Sequence, residues 1–181
     1  VSGMENRQVT PKELDTMKGW LRESLESGAT GMSIGMLYPP SNIASKEEFV
    51  GLCRVLRQYD RTMTIHIRDE ADGVIESVKE AVALGRLSGC AVVISHHKAL
   101  GRNNWGKINK TLELVEEANR DGVEVGLDQY PYNANCTNLR AVLPPSRLLG
   151  DQKGLLANLR DPDFRKRILD EVMNPVESWD N

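Results

Sequence analysis

Three histidines, His66, His96 and His97, are the residues of this chain with the most distinctive chemistry. His66 lies near the end of a β-branched stretch, and His96 and His97 follow an almost entirely apolar run at residues 91–95. Neutral imidazoles that converge from neighbouring strands can bind a metal ion. A single histidine at a strand end more often caps hydrogen bonds, so two at the same edge support the metal and structural interpretations about equally. Two ligands also do not complete a zinc site, which needs three or four.

Other polar side chains follow the same apolar stretches. Tyr38 follows the first, Lys98 follows His96 by two positions, and Tyr130 follows the fourth. Tyrosine and lysine can bind a carboxylate or orient a carbonyl group. Each also has a structural interpretation, because Tyr130-Pro131-Tyr132 is typical of a rigid turn and Lys98 could be solvated.

The elements that must position these residues alternate along the chain. Short apolar stretches predict strands at residues 30–36, 62–67, 91–95 and 124–128, and helical periodicity predicts helices at 72–84, 107–120 and 162–173. Capping boxes at Thr10 and Ser45 predict the starts of two more helices. This order is typical of an α/β protein with a parallel sheet, whose carboxyl-end edge carries the chemistry.

Side-chain alternation along the strands predicts which way each histidine points. Thr64 and His66 share one face of the second strand, and His96 is predicted on the face of Val92 and Ile94. His97 is then expected to point the opposite way.

Composition narrows the function classes. A net charge of −3 without a basic stripe gives no reason to expect nucleic-acid binding. No apolar run is long enough to span a membrane, and residues 1–7 lack the apolar core of a signal peptide. Cys53, Cys90 and Cys136 form no CxxC pair, which favours a reducing cytoplasm. No Walker A, GxGxxG or GxSxG motif is present.

Four segments together resemble a known family. They are GMSIGMLYPP at residues 31–40, HIRDE at 66–70, SHHK at 95–98 and DQYPY at 128–132. Their order and spacing are similar to those of the D-aminoacylases, the N-acyl-D-amino-acid deacylases of the amidohydrolase superfamily. The resemblance implies a distorted (β/α)8 barrel, with residues 1–181 as one segment of the catalytic domain and a partial, TIM-like barrel of about four strands.

The resemblance also implies a site and a reaction. His66 and His96 correspond to zinc ligands, Lys98 and Tyr130 to residues that bind the substrate carboxylate, and Tyr38 to a tyrosine of the substrate pocket. Zinc-dependent hydrolysis of the amide bond of an N-acyl-D-amino acid is expected of the parent enzyme. Cys136 stands where related sequences often have serine.

The same resemblance places other parts of the site outside the chain. The family's His-x-His motif, its zinc-binding cysteine and its general-base aspartate have no counterpart here, so we expect no catalytic base in this segment and little activity from it alone. Two alternatives stay open: another amidohydrolase, such as a dihydroorotase- or dipeptidase-like enzyme, and a non-catalytic α/β module. Open sheet edges also predict a homo-oligomer.

Overall fold

Strands and helices alternate along the chain in the computed structural model, which describes residues 1–137, 139, 143 and 152–174. The strands are β1 (Gly31–Gly35), β2 (Thr62–His66), β3 (Val92–Ile94) and β4 (Val125–Leu127). The helices are α1 (Pro11–Glu26), α2 (Lys46–Gln58), α3 (Val74–Ser88), α4 (Lys107–Arg120), α5 (Gln152–Asn158) and α6 (Pro162–Met173). Two short 3-10 helices, Ser41–Ile43 and Arg102–Asn104, interrupt the loops after β1 and β3.

Local capping chemistry sets the starts of several helices. The Thr10 side chain accepts a hydrogen bond from the Glu13 backbone, and the Glu13 carboxylate accepts one from the Thr10 backbone, which completes the predicted capping box of α1. Ser45 caps α2 through the Glu48 N–H, and Asp161 caps α6. The predicted bounds of α4 and α6 match those observed.

The four strands form one parallel sheet in the order β1-β2-β3-β4, which confirms the predicted fold class. The observed strands lie within the predicted ranges but are shorter. The strands are in register, because Met63 pairs with Val92 and Ile65 pairs with Ile94. Strand order therefore follows chain order, as expected for consecutive right-handed crossovers.

The core lies between the sheet and its helices. Met63, Ile65 and Ile94 are fully buried on the helix-facing side of the sheet, and they belong to one apolar cluster with α2 and α3 residues such as Leu56 and Val78. The opposite face is only half-buried at Thr64 and His66. Burial therefore fixes which side chains of β2 face the helices and which face the site.

Helix α3 spans Val74–Ser88, whereas periodicity predicted residues 72–84. The Asp69 carboxylate accepts hydrogen bonds from the N–H groups of Ala71 and Gly73, which keeps this segment outside the helix. The helix ends at Gly89, whose φ of 71° is the left-handed conformation favoured by glycine. Within the described residues, every helix is too short or too polar to cross a membrane.

Candidate functional site

The carboxyl ends of the strands lie side by side and place the following loops at one edge of the sheet. Gly35 pairs with His66, and Ile94 pairs with both Ile65 and Leu127. The backbone hydrogen bonds continue just beyond the strands, since Met36 N–H donates to the His66 carbonyl. Side chains from four loops can therefore meet here.

All five predicted site residues lie together at this edge. The ring centroids of Tyr38 and His66 are 5.1 Å apart, those of His66 and His96 are 4.7 Å apart, and those of His96 and Tyr130 are 6.5 Å apart. Lys98 Nζ lies 5.4 Å from the centre of the Tyr130 ring. A continuous row of aromatic and cationic side chains thus lines the sheet edge.

The predicted orientation of His96 is wrong. Strand β3 ends at Ile94, and His96 adopts a φ of 41°, so the extended backbone does not reach this residue. Alternation would place His96 with Ile94, which shares the helix-facing side with Ile65, away from His66. The left-handed turn instead carries its ring to His66, while the Asp128 carboxylate accepts a hydrogen bond from the His96 N–H.

His97 lies apart from this row. It is buried, and its Nε2 has no hydrogen-bond partner among the described residues. Burial lowers the pKa of His97 below its ordinary value, and the nearby Lys98 charge acts in the same direction. His97 is therefore a neutral, buried side chain near neutral pH.

Three side chains could together hold a metal ion. His66, Glu70 and His96 offer ligand atoms that all lie within 4.8 Å of one another. His66 Nδ1 and His96 Nε2 are 2.9 Å apart, while the donor atoms around a tetrahedral zinc ion would stand about 3.3 Å apart. A small separation of the two rings would therefore bring these nitrogens to the spacing that a zinc ion requires. Two imidazoles match the ligand preferences of zinc, and a carboxylate beside them can either bind the ion or orient one of the imidazoles.

Glu70 is the important residue of this site to which the sequence assigned no role. Its side chain is 2% exposed, its Oε1 lies 2.7 Å from His96 Nδ1, and its Oε2 forms an ion pair with Lys98. A glutamate in a loop is usually solvated. In the sequence, Glu70 is only a glutamate four positions after His66. That spacing does not reveal that its buried carboxylate contacts His96.

The Arg68 guanidinium supports the loop that carries Glu70. It donates to both Glu80 carboxylate oxygens, at 2.9 and 3.0 Å, and to the Asn42 carbonyl at 2.6 Å. The guanidinium group thereby links the loop after β2 to helix α3 and to the segment that follows Tyr38.

An open cavity of about 310 Å³ lies beside Lys98. Its lining includes Trp105, Gln129 and Tyr130. Tyr38 Oη, at the other end of the row, lies 3.2 Å from Thr137 Oγ1, while the neighbouring Cys136 is exposed. Lys98 is the one charged residue among the described residues that line this cavity.

Comparison with known proteins finds relatives that act on N-acylated D-amino acids. The chain is 43% identical over 132 residues to an N-acyl-D-glutamate deacylase of Alcaligenes xylosoxydans xylosoxydans, an alignment that covers 73% of this chain and 27% of that protein. A D-aminoacylase and an N-acyl-D-aspartate deacylase of the same organism are 35% and 38% identical, and each alignment covers 92% of this chain and 34% or 33% of the relative. No model of a known protein family matches the sequence.

Solved structures give the same result. The N-acyl-D-glutamate deacylase of Bordetella bronchiseptica, complexed with zinc and a phosphonate inhibitor, has a TM-score of 0.69 and 45% identity over 70% of this chain and 27% of its own. A D-aminoacylase studied for its binuclear metal centre has a TM-score of 0.70 and 31% identity over 91% of this chain and 37% of its own. The chain therefore spans about a quarter to a third of the curated relatives that it matches.

Proposed function

Because this chain belongs to the D-aminoacylase family of the amidohydrolases, we propose that it supplies part of the active site of a metal-dependent enzyme that hydrolyses the amide bond of N-acyl-D-amino acids. The products would be a carboxylate and a free D-amino acid. The observation that carries the proposal is the meeting of His66 and His96 beside Lys98 at the carboxyl edge of the sheet.

His66 and His96 would hold the metal ion, which we propose to be zinc. Their facing nitrogens, His66 Nδ1 and His96 Nε2, lie 2.9 Å apart and belong to the cluster of side chains that could hold an ion. When bound, zinc would polarise the amide carbonyl and activate water at neutral pH. The contribution of this chain is to present two imidazoles, one at the end of β2 and the other in the turn that follows β3, from a backbone that the sheet and its loops hold in place.

Lys98 and Tyr130 would bind the substrate carboxylate. The ammonium group lies 5.4 Å from the centre of the Tyr130 ring, and Lys98 is largely buried, so a carboxylate here would meet a poorly hydrated cation. Tyr38 would border the opposite side of the substrate, against His66. Fixing the carboxylate relative to the metal would orient the α-carbon and so select the D isomer.

The chain is proposed to be one segment of the catalytic barrel. With two histidine ligands, and with the general base expected elsewhere, residues 1–181 should show little or no turnover by themselves. Faster hydrolysis of N-acetyl-D-amino acids by the purified chain than by its His66→Ala variant would contradict this.

A zinc titration of the chain tests the metal site. We expect His66→Ala and His96→Ala each to abolish binding measured by calorimetry. His97→Ala is the matched control, because His97 lies outside the cluster, and it should retain binding. Circular dichroism would establish that each variant is folded. Equal binding by all three variants would refute the site.

Turnover by the complete reading frame tests the reaction. We expect hydrolysis of N-acetyl-D-amino acids but not of their L isomers, and Lys98→Met should raise KM more than it lowers kcat, because the contact with the carboxylate is uniform through the reaction. Equal rates for both isomers would contradict the proposed specificity.

A further inference from the structure

Two groups of opposite hydrogen-bonding character face the same nitrogen of His96. Glu70 Oε1 lies 2.7 Å from His96 Nδ1, and Lys98 Nζ lies 3.1 Å from that atom. Lys98 also donates to the His96 carbonyl at 3.0 Å and forms an ion pair with the second oxygen of Glu70. The proton position on His96 is therefore decided by which neighbour bonds to Nδ1.

Each neighbour requires a different tautomer. A carboxylate only accepts hydrogen bonds, so in the neutral imidazole a bond to Glu70 requires the proton on Nδ1 and leaves the lone pair on Nε2. An ammonium group only donates, so a bond from Lys98 to Nδ1 would place the proton on Nε2. Nε2 is the atom that faces His66 Nδ1. Only the bond to Glu70 leaves a metal-donor atom directed into the cluster.

The structure around Glu70 fixes it in place. Its side chain is 2% exposed, and its backbone carbonyl accepts a hydrogen bond of 2.7 Å from the Leu100 N–H. The N–H of the preceding residue, Asp69, donates to the Ser77 hydroxyl oxygen, and the Asp69 carboxylate accepts hydrogen bonds from the N–H groups of Ala71 and Gly73, so the loop is held on both sides. A rigid, buried carboxylate orients an imidazole better than a solvated one.

We propose that Glu70 is a positioning residue that holds His96 in its Nδ1-protonated form and draws Lys98 onto its other oxygen. The metal-related part of this inference rests on the proposed function, whereas the tautomer does not. Glu70 acts through His96 in this role and is not itself a metal ligand, because its Oε1 bonds to Nδ1 while Nε2 faces the cluster.

Nitrogen NMR of the metal-free chain, labelled at histidine, tests the tautomer. We expect His96 to carry its proton on Nδ1 in the unmodified chain and to shift toward the Nε2-protonated form in Glu70→Gln, since Lys98 is then released to donate to Nδ1. Adding Lys98→Met to Glu70→Gln removes that donor and should recover part of the original population. Glu76→Gln is the matched control, because Glu76 is 75% exposed on α3, and it should change nothing.

Zinc affinity supplies the second readout. Loss of an outer hydrogen-bond partner typically weakens metal binding about 10- to 100-fold, and we expect this for Glu70→Gln but not for Glu76→Gln. Weaker binding with an unchanged tautomer would make Glu70 a direct ligand and overturn the proposal.

The tautomer of His96 in the unmodified chain is by itself a test of the proposal. An Nε2-protonated His96 in it would overturn the proposal even if Glu70→Gln failed to fold. If the chain bound no zinc, the proposed function would fail, while the tautomer measurement would still support or refute the role of Glu70.

Discussion

His96 shows how much of this site depends on one backbone angle. A non-glycine residue with φ near 41° is uncommon and costs of the order of 1 kcal/mol, so neighbouring contacts must hold it. Asp128 bonds to the His96 N–H, and the Asp128 carbonyl accepts a hydrogen bond from His97. Two loops, after β3 and after β4, therefore fix the turn together, which explains why it persists.

The planar geometry of the Arg68 side chain matters more than its charge. Its guanidinium binds both Glu80 oxygens while also reaching the Asn42 carbonyl, and the two side chains are only 32% and 22% exposed. A lysine keeps the positive charge but cannot form the planar two-point contact.

We expect Arg68→Lys to lower the free energy of unfolding by about 1–2 kcal/mol, as measured by urea denaturation. The control is Arg86→Lys, because the Arg86–Asp121 ion pair is more than half exposed at both ends, and its loss should cost less than about 0.5 kcal/mol. Equal losses of unfolding free energy in the two variants would show that the two-point contact of Arg68 with Glu80 does not stabilise the fold more than an exposed ion pair does.

The start of helix α3 couples the fold to the site. Gly73 precedes α3 without a side-chain cap, and the buried Asp69 carboxylate supplies the acceptor instead. A β-carbon on Gly73 would lie 2.7 Å from Asp69 Oδ2 and 3.1 Å from its Cγ. Since Asp69 adjoins Glu70, a shift there would reach His96.

Gly73→Ala is therefore expected to lower the free energy of unfolding by about 1–3 kcal/mol, because Asp69 must move and lose its backbone hydrogen bonds. Gly106 is the matched control. It also precedes a helix without a side-chain cap, yet nothing lies within 4 Å of an added β-carbon. Gly106→Ala should be neutral or stabilise the chain by up to about 1 kcal/mol. Thermal unfolding of both variants measures the difference, and a neutral Gly73→Ala would contradict the role given to Asp69.

At the scale of the whole molecule, the sheet formed by the described residues is open. Among the described residues, β1 and β4 are the outer strands and each pairs with one neighbour only. Unpaired edges of parallel strands are templates for another chain. The expected homo-oligomer thus stays a prediction that follows from the sheet rather than from the site.

We expect the purified chain to self-associate with rising concentration, as measured by light scattering. Ser33→Lys places a charge at the exposed position of β1 and should shift the molecule toward monomer, because a charge on an edge strand opposes pairing. Ser24→Lys adds the same charge at an exposed position of α1 and should have little effect. A monomer at high concentration would contradict the prediction.

The sequence by itself determined the order of the strands and of the helices other than α5, the caps of α1 and α2, and which loops follow the strands to the sheet edge. These follow from periodicity and short-range hydrogen bonding, which act within a few residues, and the capping box at Thr10 and the bounds of α4 are examples. The four motifs also indicated the family, because their order along the chain can be compared with that of known proteins without a structure.

Only the tertiary structure decided how the site is built. The sequence placed His96 on the wrong face, since the left-handed turn that redirects it is held by Asp128, 32 residues away. It also gave no role to Glu70, whose burial and contacts with His96 and Lys98 arise from packing between separate loops. Alternation and motif spacing describe neighbours along one strand, whereas the direction of a side chain after the strand ends depends on contacts between strands.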